Sequence, residues 1–172
     1  MQFPSRSPEN TRAAARLLAS VVDERGLVVS LVGALGAGKT VFAKGLAAGL
    51  GIDPAAVASP TFVIASEYAS AAGRRLAHVD LYRVESSEEL EVAGFADLLE
   101  PGSVVAVEWG DRFPAALPPD RLGIEICRPD PVGNPAGRVL HALSCGPVSS
   151  AALARWREAL AAHIERPDPD RD

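Results

Sequence analysis

Along this chain, hydrophobic positions repeat with two different periods, and the switches between them mark the elements. Ala13, Ala14, Leu17, Leu18, Val21 and Val22 recur at helical spacing behind Ser7-Pro8-Glu9. That tripeptide supplies a serine cap, a proline at the first helical position and an acid in the first turn, and Gly26 closes the run. LVVSLV (27–32) is instead a short apolar, β-branched stretch that reads as a buried strand. Glycine-rich residues 33–38 follow, then a helix in VFAKGLAAGLG (41–51), stopped near Gly49 and Gly51. Residues 62–70 and 75–84 flank Ala71-Ala72-Gly73-Arg74 and predict a β-hairpin. Ser86 and Glu89 form a capping box that opens one or two short helices up to residue 100. SVVAVEW (103–109) is a second strongly buried strand. A proline-rich connection leads to two alternating strands, 121–128 and 138–145, and residues 149–164 form a closing amphipathic helix. Residues 1–165 read as a single domain, and RPDPDRD (166–172) as a frayed tail. The mixture is α/β, with parallel strands near the glycine loop and hairpins elsewhere.

Composition narrows the classes of function. The 172 residues are 48% hydrophobic and 23% charged, the balance of one core-forming globular domain. A net charge of −5, from 17 basic against 22 acidic residues, disfavours strong direct binding to nucleic acid or anionic lipid. Cys127 and Cys145 belong to no CxxC or Cys/His cluster and read as ordinary reduced thiols. The N-terminal MQFPSRSPEN lacks a signal-peptide pattern, and no apolar run approaches the ~18 residues of a membrane span, so a cytoplasmic location is expected.

Arginine outnumbers lysine 15 to 2, and threonine occurs only at Thr11, Thr40 and Thr61. In so Lys-poor a chain, Gly33-Ala34-Leu35-Gly36-Ala37-Gly38-Lys39-Thr40 stands out as G-x-x-x-x-G-K-[ST] between a strand and a helix. Residue frequencies alone would produce that match about once in a thousand such sequences. Gly33, Gly36 and Gly38 free the backbone to turn its N–H groups inward around phosphate oxygens, and the following helix start, from Ala37 to Val41, adds unpaired N–H groups and a positive dipole end. Lys39 reaches the β/γ-phosphates, and the Thr40 hydroxyl is a ligand for Mg²⁺. The expected fold is therefore a P-loop NTPase-like three-layer sandwich built on a mixed β-sheet.

A magnesium site of this type takes a carboxylate from a nearby strand end. Glu108 ends the apolar VVAVE, and Asp80 lies in HVDLYR; each also reads as a solvated strand-end acid. Ser59-Pro60-Thr61 is either a switch-like loop presenting Thr61 to the γ-phosphate or a turn before a strand. His78 shares the strand face of Asp80 and reads as a packed, hydrogen-bonded histidine. Trp156 on the last helix reads as core or partner-facing. No Asn-Lys-x-Asp element follows the P-loop, which favours ATP over GTP.

Together, GALGAGKT (33–40), SPTF (59–62), HVDLYR (78–83), EELEVAGF (88–95) and VEWGD (107–111) resemble the TsaE (YjeE) family, the bacterial ATPases needed for N6-threonylcarbamoyladenosine (t6A) modification of tRNA. The resemblance implies that Thr40 and Glu108 hold Mg²⁺, that Asp80 is needed for hydrolysis and that Trp109 lies close to the nucleotide. It places Thr11 and Arg138 near the base or phosphates. It also implies a partner complex, TsaB–TsaD, that modifies A37 and contacts the tRNA. Asp111 stands where many members carry Glu. Two other readings of the P-loop are a small-molecule kinase, with Arg112 or Arg128 as a lid arginine, and a nucleotide-gated binding module whose hydrolysis is incidental.

Overall fold

The structure, a computed structural model, describes residues 1–60 and 64–164. In chain order the elements are β1 (Gln2–Ser5), α1 (Pro8–Val21), β2 (Leu27–Val32), α2 (Lys39–Gly49), β3 (Ala65–Ala69) and β4 (Arg75–Asp80). They continue with α3 (Ser87–Val92), a 3-10 helix (Phe95–Leu99), β5 (Val104–Glu108), β6 (Leu122–Cys127), β7 (Arg138–Ser144) and α4 (Pro147–Ile164). The strands form one sheet in the order β1-β7-β6-β2-β5-β4-β3. β6, β2, β5 and β4 are parallel, and antiparallel β1-β7-β6 and β3-β4 pairings make the two flanks.

The expected mixed sheet is thus present, and its register brings three strand ends together. Leu31 pairs with Glu108, and Glu108 with Asp80, so the carboxyl ends of β2, β5 and β4 lie level. In open α/β sheets ligands bind in the crevice beyond such strand ends. Helices α1, α2 and α4 bury Leu18, Phe42, Leu46 and Trp156 against one sheet face. The opposite face is covered over β4 and β5 by Leu90, Phe95 and Leu117, whereas Glu125, His141 and Leu143 of β6 and β7 stay exposed. The third layer therefore covers half the sheet.

Close packing carries the P-loop helix. A Cβ on Gly45 would lie 2.4 Å from the Arg12 carbonyl oxygen, so α2 crosses α1 at a distance only glycine permits. Trp156 ties α4 to both, donating Nε1–H to the Ala14 carbonyl at 2.8 Å and meeting Phe42 edge-on. It is core.

Several elements differ from the sequence expectation for identifiable reasons. β1 is too short and polar to show a period; its pairing with β7 makes it a strand. The hairpin is present but shorter, since Leu81 N–H turns to the Glu108 carbonyl and Tyr82 N–H to Asp80 Oδ1. Gly94, at φ +69°, splits the segment after Ser86 into α3 and the 3-10 helix. α4 starts at Pro147 because Asp120, from a separate segment, accepts from Val148 and Ser149 N–H at 2.7 and 2.9 Å. Thr61 and the tail 166–172 lie outside the described residues. Among the described residues, no helix is long and apolar enough to cross a membrane.

Candidate functional site

The loop from β2 to α2 takes its shape from backbone angles that other residues resist. Gly33 has φ +146°, and a Cβ there would lie 2.5 Å from the Ile126 carbonyl oxygen; Gly38 has φ +115° and enters the helix directly. Phe42 N–H is the first in α2 to bond along the helix, to Gly38 O at 2.9 Å. The N–H groups of Lys39, Thr40 and Val41 therefore project from the helix start with no partner inside the helix. Arg138 clamps the loop from β7, donating Nε–H to the Ala37 carbonyl (2.6 Å) and Nη2–H to that of Gly36 (3.3 Å).

Lys39 is 4% exposed. Its Nζ donates to the carbonyls of Gly33 (2.6 Å) and Ala34 (3.0 Å) and lies 3.7 Å from the Trp109 ring centroid. Burial lowers its pKa from the ordinary lysine value, against the raising pull of Glu108, Asp80 and Asp111. Trp109 holds its ring there from a left-handed backbone, φ +60°, with the Tyr82 ring tilted against it at 5.0 Å between centroids. A tryptophan at positive φ stores about 1–3 kcal/mol of strain, which the surrounding contacts must hold.

Glu108 is buried at the end of β5. Its Oε1 accepts from Thr40 Oγ1–H and from His78 Nε2–H, each at 2.8 Å. Asp80 beside it is fixed through both oxygens, Oδ2 by Ser59 Oγ–H (2.9 Å) and Oδ1 by Tyr82 N–H (3.0 Å). These residues open onto a cleft of about 690 Å³, lined by Gly36, Gly38, Lys39, Thr40, Val41, Ser59, Asp80, Glu108 and Trp109 among others. That is the size of an ordinary small-molecule site.

Most residues singled out in the sequence thus converge, with exceptions. Gly33 and buried Ala37 shape the loop from beneath without lining the cleft. Arg138 is placed on the P-loop carbonyls and not on the cleft wall. Thr11 is 1% exposed and also off the wall, its hydroxyl engaged by Ser5 Oγ at 2.8 Å where β1 meets α1. The contacts of Ser59 and Tyr82 are additions that sequence reasoning misses, although both residues lie within the motifs SPTF and HVDLYR.

The oxygen pair of Thr40 and Glu108 fits a hard divalent cation. Among the described residues, no group of three or more His, Cys, Asp or Glu gathers to hold a metal. Mg²⁺ in general binds through one or two protein oxygens, keeps waters and takes further oxygens from a bound phosphate.

A family model described as "Threonylcarbamoyl adenosine biosynthesis protein TsaE" matches residues 5–133, a span containing the whole cleft wall from Leu35 to Trp109. The Bacillus subtilis tRNA threonylcarbamoyladenosine biosynthesis protein TsaE is 43% identical over 71% of this chain and 74% of its own. Its Streptomyces coelicolor counterpart is 42% identical over 78% of this chain and 89% of its own. The crystal structure of Bacillus subtilis YdiB superposes with a TM-score of 0.69, at 30% identity and 95% coverage of both chains. Motif, cleft, family match and superposition agree: this chain belongs to the TsaE family.

Proposed function

We propose that this chain is a Mg²⁺-dependent ATPase that acts in tRNA t6A37 biosynthesis with a TsaB–TsaD complex in the cytoplasm. The observation that carries the ATPase reading is the Thr40–Glu108 hydrogen bond at the mouth of a P-loop whose lysine is already drawn inward. The names of the relatives support the pathway.

The chain's own residues divide the work by position. The N–H groups at the start of α2 receive phosphate oxygens, and Lys39 exchanges its two carbonyl partners for them. Thr40 and Glu108 would hold Mg²⁺, which neutralises phosphate charge when bound. Asp80, gripped through both oxygens, orients water and receives its proton, and the Thr61 hydroxyl acts at the γ-phosphate. The net charge of −5 supports leaving most of the tRNA contact to the partners. The test is multiple-turnover t6A formation by purified TsaB and TsaD, with and without this chain and ATP. Dependence on both is expected; turnover unchanged by omitting the chain refutes the proposal.

A further inference from the structure

His78 is fully buried, and among the described residues its Nδ1 has no hydrogen-bond partner. Its other nitrogen lies 2.8 Å from the Glu108 oxygen that already accepts from Thr40. A carboxylate oxygen only accepts, so Nε2 carries the hydrogen of that bond.

As core filling, this is a poor choice. Leu76, two residues earlier on the same strand face, is equally buried and leaves no polar atom unmet. The register shows what the histidine does instead. His78 pairs with Ala106 and Asp80 with Glu108, so the small alanine opposite leaves room for the imidazole to lie along β5 toward the carboxylate. Arginine or lysine there would cancel the charge a cation needs, whereas an imidazole N–H can orient the carboxylate without a permanent charge of its own.

We propose that His78 is a positioning residue for Glu108: with Thr40 it pins Oε1, so that Oε2, which accepts no hydrogen bond from the described residues, is presented to the divalent cation. This rests on the reading of Glu108 as a metal ligand.

The test is Mn²⁺ binding to the ADP-bound protein, followed by electron paramagnetic resonance, with ADP affinity measured separately in EDTA. His78→Leu, which keeps the bulk and loses the donor, is expected to weaken Mn²⁺ binding roughly 10- to 100-fold. His78→Gln, which keeps an N–H at similar reach, recovers most of it. ADP affinity in EDTA is unchanged in both. In a Glu108→Ala background, His78→Leu has no further effect. His78→Asn, whose amide falls short of Glu108, gives the same loss and serves if the leucine variant is unstable. The proposal is overturned by undiminished Mn²⁺ affinity in the Leu or Asn variant, by failure of Gln to recover it, or by an equal loss of ADP affinity in EDTA. Should Glu108→Ala itself bind Mn²⁺ as tightly as the unmodified protein, the reading beneath the proposal falls and takes it along.

Discussion

Replacing Lys39 by methionine should move ligand binding and stability in opposite directions. Methionine keeps most of the stem and removes the ammonium. In the binding arm, one charge-assisted contact to phosphate disappears, worth about 1.5–3 kcal/mol, or roughly a 10- to 150-fold loss of ADP affinity. In the stability arm, two bonds to the Gly33 and Ala34 carbonyls are lost, yet both residues are open enough for water to take over. Against that loss stands relief: burial already lowers the Lys39 pKa despite three neighbouring acids, so the protein as folded disfavours this charge on balance. The thermal midpoint without nucleotide should therefore hold or rise. Calorimetry with ADP gives the first arm and thermal unfolding the second. A midpoint lowered by more than about 4 °C, the equivalent of about 1 kcal/mol or more, refutes the account of Lys39 as a charge held in reserve. So does an ADP affinity within about threefold of the unmodified protein.

Asp80→Ala should lower ATP turnover in the assembled complex with little loss of ATP affinity, whereas Glu108→Ala should also weaken the Mg²⁺-dependent part of binding; equal small effects of both would contradict the division. Nucleotide should change the fluorescence of Trp109, whose ring touches Lys39, and a Trp109→Phe variant should lose the change because Trp156 is wholly buried elsewhere. Gly45→Ala gains helix propensity but drives a Cβ to 2.4 Å from a backbone carbonyl; the net loss of about 1–2 kcal/mol should lower the thermal midpoint by roughly 2–8 °C. Hydrogen bonds from Arg25, aided by Arg155, hold the Asp23 carboxyl well below the ordinary value of 3.8. A depressed carboxyl stabilises above its unfolded pKa and loses that contribution as pH falls, so the stability gap between the unmodified protein and Asp23→Asn should narrow from about pH 5 to about pH 3.

What could be read in the sequence was what is encoded locally. A P-loop is eight consecutive residues, and the strands at 27–32 and 104–108 are continuous apolar runs, so the cleft's floor and its acid were visible without coordinates. The hidden features depend on residues far apart in the chain. β1 is a strand through its pairing with β7, and α4 gains two residues through Asp120. The positive φ of Trp109 accompanies contacts with Tyr82 and Lys39, which no dipeptide preference signals. The family resemblance puts Thr11 near the nucleotide; in the fold its hydroxyl meets Ser5 where β1 joins α1, and β1 is an element the sequence pattern does not reveal.

The arginine clamp on the P-loop also imposes an order on synthesis. Arg138 reaches the Ala37 carbonyl across 101 residues of chain, so the loop's finished shape waits for a residue that leaves the ribosome long after the loop itself. At ordinary elongation rates that interval is on the order of 5–20 s. Through it, the glycine-rich segment lacks its brace, while β1 has no strand to join until β7 emerges. A nascent chain stalled before residue 138 should hold nucleotide poorly, and competence should arrive with the last strand rather than with the motif that gives the site its signature.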